Sequence, residues 1–198
     1  LKNRGVIVSL SSVKRTLDRC GLRKKRSLWK RPHDYTERPA AAFFGALVGV
    51  DTIHIIAPDG SRIYVYTMID LFSRFAYAEV VDKIGVMASV GFIERAKAVA
   101  PFKFELIQTD HGSEFSIGFT HALTAMEIRH RHSRVRQKDD QAHIERFNRT
   151  IQEECLDRIE HSLFSFQTAI PEYLRYYNTE RTHMGINYQT PLEVMQRS

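Results

Sequence analysis

Three acidic residues stand where the chain could do chemistry. An apolar run, GALVGVD, ends on Asp51, and a second, LIQTD, ends on Asp110. A run of helical period, HIERFNRTIQEE, carries Glu145, 35 positions after Asp110. An acid at the tip of a strand and an acid on a nearby helix face can reach one metal ion. Carboxylate oxygens are hard ligands that suit Mg²⁺ or Mn²⁺ and leave room for water and phosphate. Each acid also has a plainer reading: an Asp after a strand often bonds a turn, and a helix Glu often faces solvent. Asp70 ends a strand too, and is a rival to Asp51. Glu114, four residues past Asp110, reads as a capping or supporting residue.

The words around these acids carry more than the acids alone. Thr109-Asp110-His111-Gly112-Ser113-Glu114-Phe115 resembles the second-Asp motif of insertion-sequence transposases and retroviral-type integrases. Glu145-Arg146-Phe147-Asn148-Arg149-Thr150 resembles their Glu motif, and the final YNTERTHMGINYQTPLEVM resembles their C-terminal signature. Asp, a long gap, Asp, a shorter gap, Glu is the carboxylate pattern of the DDE recombinases. The resemblance covers residues 42–198, with a fainter claim on 1–38. It implies an α/β ribonuclease H-like fold, a mixed five-stranded sheet flanked by helices. It also implies a transposase that cleaves DNA and transfers strands through Asp51, Asp110 and Glu145. These would hold two Mg²⁺ (or Mn²⁺) ions, with Asp51 bridging them. The family favours Asp51 over Asp70, because IDLFSR around Asp70 resembles a non-catalytic word. Transposon ends and target DNA are the implied partners, and a homo-oligomer on DNA the implied assembly. Two departures stand out: Gln152 replaces a usual Lys or Arg, and His111 replaces a usual Asn. A metal-dependent nuclease on the same fold, and a transposase-derived DNA-binding protein without activity, are the rival readings.

Charge agrees with a polyanion partner. The chain of 198 residues has net charge +6, yet residues 1–36 hold eleven Lys/Arg against two Asp, leaving the remainder acidic. Ser9 to Leu22 reads as a short capped helix that Gly21 stops, with Lys14, Arg15 and Arg19 outward, the expected end of a helix-turn-helix. Residues 23–38 read as a linker with Trp29 as an anchor. Arg129 to Lys138 holds five Lys/Arg and two His. Arg134, Arg136 and Lys138 there, with Asn148 and Arg149 beside Glu145, are the expected DNA contacts of the core. A zinc site at His130, His132 and His143 has no Cys or metal-helix motif behind it.

The elements that must position these residues follow from pattern. Leu47–Ile56, Ile63–Ile69 and Arg74–Val81 read as an antiparallel meander, the first interrupted at Gly49 and turned at Pro58-Asp59-Gly60. Helices are expected over 86–100, 115–126, 142–159 and 166–177, with strands at 104–109 and, on an edge, 127–132. The core is expected to span 39–198, with 162–198 a helical extension. No run of 18 apolar residues exists, so no membrane span is expected, and a reducing cytoplasm, nucleoid-associated in a prokaryotic host, is the default. The start, LKNRGVIVSL, has neither an initiator Met nor a signal-peptide layout, which fits a piece of a longer chain.

Overall fold

The computed structural model describes residues 9–22, 38–134 and 137–197. The linker with Trp29 (23–37), Arg136 and the side chain of Lys138 lie outside the described residues. The chain packs as two units, Leu1–His33 and Asp34–Ser198. In the first, helix α1 spans Leu10–Arg19, and the Ser9 hydroxyl accepts a hydrogen bond from the Ser12 N–H. Gly21 follows at φ 67°, the conformation glycine adopts at a helix end. Lys14, Arg15 and Arg19 are exposed, as the pattern predicts.

The second unit is built on one sheet of five strands in the order β3-β2-β1-β4-β5. These are β1 Val48–Ile56, β2 Arg62–Asp70, β3 Ala76–Val81, β4 Leu106–Thr109 and β5 Arg129–His132. β1 to β3 form the antiparallel meander, while β4 and β5 join in parallel. The expected break at Gly49 does not occur: β1 runs through it unbroken, paired to β2 over its full length. The turn between β1 and β2 uses the expected chemistry. Asp59 Oδ1 accepts from the Ser61 N–H at 2.9 Å, and Gly60 takes φ 82°.

Helices cover both faces. α2, Val86–Val99, and α3, Ile117–Ala125, pack on one side around Phe92, Ile93, Phe119 and Leu123. α4, Lys138–Glu154, and α5, Leu163–Thr179, pack on the other around Ile144, Phe147, Ile151 and Phe166. Ile144, Phe147 and Ile151 recur at helical spacing and are at most 2% exposed. Each such burial contributes about 1.5–3 kcal/mol, and Phe147→Ala would cost roughly 3–5 kcal/mol. That stripe fixes which way α4 faces.

Helix limits differ from those expected. α4 begins four residues early, because Asp139 and Asp140 sit in its first turn, where carboxylates favour the helix dipole. It stops at Cys155, and Leu156–Arg158 forms a separate 3₁₀ turn. α5 extends past both expected ends, capped by the Ser162 hydroxyl on the Ser165 N–H. Tyr177-Asn178 and Thr190-Pro191 of the C-terminal run have structural uses. The Asn178 carboxamide accepts from the Ala76 N–H and donates to the Ala76 carbonyl, both at 2.9 Å, on the outer side of β3. Thr190 and Glu193 form a capping box at the start of α6, Pro191–Gln196, with Pro191 at its first position.

Candidate active site

The sheet and α4 bring the three acids to one region. Asp51 is on β1 opposite Thr67 of β2, Asp110 follows directly after β4, and Glu145 is on the exposed side of α4. Parallel β1 and β4 are neighbours, so their acids emerge side by side. The apolar stripe of α4 faces the sheet, which turns Glu145 toward solvent beside them.

Electrostatics report that proximity. Burial pushes the Asp51 carboxyl up to about 6, against a hydrogen bond from the Thr52 backbone. The charge of Asp110 adds to the rise, the Asn148 amide opposes it, and the charge of Glu145 adds further. Both other acids therefore act on Asp51, and a cation between them would relieve the repulsion. Asp51 Oδ2 accepts from Asn148 Nδ2 at 2.9 Å, and the Thr67 hydroxyl donates to Asn148 Oδ1 at 2.7 Å. This Thr67–Asn148–Asp51 chain was not legible in the sequence. Asn148 was expected to touch DNA, and nothing near Thr67 marked it.

Asp110 is held from two sides. Its Oδ1 accepts from the Gly112 N–H at 2.8 Å, and its carbonyl lies 2.6 Å from His132 Nδ1. A Cβ at Gly112 would sit 2.7 Å from Glu114 Oε2 and 3.0 Å from Asp110 Oδ1, so a side chain there would displace the Glu114 carboxylate and crowd that of Asp110. Glu114 is buried in the turn after Asp110, fitting support. His111 stacks on His132, ring centroids 4.9 Å apart, and its Nε2 lies 3.0 Å from the Ser133 carbonyl.

Asp70 is of another kind. It is fully buried, and its oxygens accept from the Gly45 N–H at 2.9 Å, the Ser73 N–H at 2.7 Å and the Ser73 hydroxyl at 2.7 Å. Its lone pairs are committed to closing the strand end.

The expected DNA contacts divide. Arg149 is exposed beside Glu145. Arg134 is committed elsewhere: its backbone N–H and guanidinium grip Asp140 at 2.9–3.2 Å, and Arg131 joins at 3.6 Å. Burial works against the Asp140 charge, but the Arg134 hydrogen bonds outweigh it and hold the carboxyl below its usual range. A phosphate would compete with Asp140 for Arg134. Arg131 of the edge strand is buried rather than solvated. His143 lies apart from His130 and His132. It lines a cavity with Arg74, whereas those two bond Thr109. Burial first, then the charges of Arg74 and Arg38, push His143 down to about 4.

The donor set, all carboxylate oxygens, fits a hard divalent cation. Among the described residues no three His, Cys, Asp or Glu lie close enough together to enclose a metal ion as they stand.

Comparison with known proteins agrees with this picture. Two family models, both described as integrase core domain, match residues 45–138 and 126–191. A protein named as an integrase, ORF3 of Spiroplasma virus SpV1-C74, is 30% identical over 68% of this chain and 42% of its own length. A protein named as transposase InsK for insertion sequence element IS150, from Escherichia coli (strain K12), is 28% identical over 69% of this chain and 50% of its own. The chain thus spans about half the length of these relatives or less. The HTLV-2 integrase catalytic core, solved with magnesium in a dimeric form, superposes with TM-score 0.62 and 19% identity over 78% of this chain and 99% of that one. The simian T-cell lymphotropic virus intasome with a PP2A subunit gives TM-score 0.66 and 17% identity over 94% of this chain and 66% of the other. The sheet order is accordingly that of the ribonuclease H-like fold. With adjoining matches under one description running from 45 to 191, and relatives named both as integrase and as insertion-sequence transposase, the chain belongs to the integrase core domain family of DDE transposases and integrases.

Proposed function

We propose that this protein is a transposase that cleaves DNA and transfers strands, with Asp51, Asp110 and Glu145 as its catalytic carboxylates. The observation that carries the reading is that the charges of Asp110 and Glu145 both act on Asp51, whose carboxyl burial has already pushed up to about 6. Drawn together around divalent cations, Mg²⁺ or Mn²⁺, the three acids would hold two ions in all. When bound, such ions activate an attacking oxygen and stabilise the leaving one.

The chain's own residues do the rest. Asn148, braced by Thr67, fixes Asp51 Oδ2, and the Gly112 N–H fixes one oxygen of Asp110. Their geometry is set before DNA arrives, so little reorganisation is needed at the reacting phosphate. Glu145 faces the same region from the exposed side of α4. Arg149, one turn along, is positioned to hold a phosphate beside the carboxylates. α1 and the basic residues before the core serve DNA binding, and assembly as a homo-oligomer on transposon ends and target DNA, in a bacterial cytoplasm, belongs to the same reading. No helix among the described residues is long and apolar enough to cross a membrane.

Glu145→Gln tests the reading. It keeps size and removes the charge, on an exposed face of α4, so the fold should persist. Joining of a pre-cut transposon end to plasmid DNA should fall at least about a thousandfold, since losing one cation's hold removes several kcal/mol of transition-state stabilisation. Gel-shift affinity should change little. Equal joining by wild type and variant removes Glu145 from the triad. Binding without joining by the wild type, under every end and metal tried, favours a DNA-binding derivative.

A further inference from the structure

Along one side of α4 runs a line of arginines that the carboxylate site does not use. At the helix start Arg38 donates to the Asp139 carbonyl. Arg74 follows beside His143, Arg146 projects from the helix itself, and Arg181 ends the line on Glu154 at 2.7 Å. Asp139, His143, Arg146, Thr150 and Glu154 recur every three or four residues and so share one helix face. Fifteen steps of the helical rise, from Asp139 to Glu154, make this line about 22 Å long. In its middle lies a cavity of about 410 Å³, with Arg74, Arg146 and Arg181 on its walls and Phe147 and Tyr177 as its apolar lining.

The charges in the cavity are unequally matched. Arg181 is neutralised by Glu154, which binds it through both carboxylate oxygens. The Arg74 guanidinium makes one hydrogen bond among the described residues, to the Leu71 carbonyl at 2.6 Å. Asp70 lies behind it, but that carboxylate is already bonded by two backbone N–H groups. Burial is the chief force depressing the Arg74 guanidinium, Asp70 opposes it, and the like charge of Arg38 adds to it. The backbone of Arg74 sits at φ 66°, a conformation that costs a non-glycine residue about 1 kcal/mol or more. Arg146 is exposed, and its guanidinium makes no hydrogen bond or ion pair among the described residues. Among the described residues that line the cavity, no carboxylate stands between Arg74 and Arg146.

We infer that this face of α4 is a second DNA track, in which the cavity between Arg74 and Arg146 takes a backbone phosphodiester distinct from the reacting one. The inference rests on DNA being the substrate, as proposed above. At 100° per residue, His143, Arg146 and Thr150 lie about 100–160° around the helix from Glu145, so a phosphate held here is not the one at the carboxylates. Planar guanidinium forks grip phosphate oxygens in pairs, and a row of them suits a repeating polyanion.

The test uses the full chain with Arg146→Ala and Arg146→Glu, changes at an exposed position that should leave the melting temperature unaltered. Binding of a labelled duplex is followed by fluorescence anisotropy across a salt series. Arg146→Ala should weaken binding about three- to tenfold and reduce the slope of log K against log salt by about 1. Arg146→Glu should weaken it further. Inorganic phosphate at matched ionic strength should erase part of the difference between wild type and Arg146→Ala. If Glu145→Gln and Arg146→Ala both bind as wild type does, the track falls while the proposed function stands. If the wild type binds no duplex, both fall. A change of oligomeric state in Arg146→Glu without DNA would make the face a contact between copies. Phosphate that stabilises wild type but not Arg146→Ala, with equal DNA affinities, would make it a small-anion pocket. Either result overturns the track.

Discussion

Asp70 closes β2 opposite Val48, and Asp51 lies three positions along β1 opposite Thr67. The two are therefore separated by about 10 Å of the same ladder. Burial raises both carboxyls above their usual range. What surrounds them differs. Asp70 is ringed by donors, so its oxygens organise the Gly45 and Ser73 backbone. The approach is tight there: a Cβ at Gly45 would meet the Lys103 carbonyl at 1.9 Å, so no other residue fits its φ of 82°. Asp51 has one carboxamide donor from a side chain and faces two other acids. A buried acid surrounded by donors is part of the fold. A half-buried acid beside other acids is held in an unfavourable state that a cation can relieve.

The contrast breaks most visibly in stability. Asp70→Ala strips the acceptor from two buried N–H groups and a hydroxyl and should cost roughly 3–5 kcal/mol. Asp51→Asn should instead stabilise the apo protein by about 1–3 kcal/mol at neutral pH, by removing a raised carboxylate. Urea denaturation of both variants would show opposite signs. Two changes of the same sign would dissolve the distinction.

A smaller effect should appear with pH. The folded carboxyl of Asp51 titrates near 6 and the unfolded one at 3.8, so the folded state holds the proton more tightly. The stability this contributes is complete below about pH 4 and is lost as pH rises through 6, up to about 3 kcal/mol in all. Asp70, raised as well, contributes in the same direction. The difference between wild type and Asp51→Asn over pH 4–7 therefore isolates Asp51. Parallel profiles would mean that its environment is not the one described. The smallest effect is that of metal. Millimolar Mn²⁺ should raise the melting temperature of the wild type by about 3–5 °C, by binding only the folded state. Asp51→Asn should lose this shift and Asp70→Asn should keep it. A shift retained in Asp51→Asn would move the cation elsewhere.

Much of this was legible locally. The turn at Asp59-Gly60, the strand limits and the words around Asp110 and Glu145 depend on residues a few positions apart, where spacing carries the physics. The choice between Asp51 and Asp70 does not. Both end apolar runs in the sequence, yet Asp51 lies inside β1, and one donor that sets Asp70 apart is Gly45, 25 residues before it. Arg134 reads as a free cation because Asp140, which fills its guanidinium, is brought round by the start of α4. Asn148 was visible at its place on the helix but not its partner on β1, 97 residues away. The cationic face of α4 escaped for the same reason, since it draws on Arg38, Arg74 and Arg181 from three separate segments.

One contact made for packing has a wider consequence. β3 is an outer strand, and outer strands leave amide and carbonyl groups ready to recruit a foreign strand. At Ala76 the Asn178 carboxamide fills both, as a neighbouring backbone would. One side chain thus imitates the beginning of a sixth strand. An incoming chain would have to evict α5 before it could add to the sheet there. Asn178 therefore also guards the sheet margin against self-propagating strand addition, while locking the last long helix to the β3 edge.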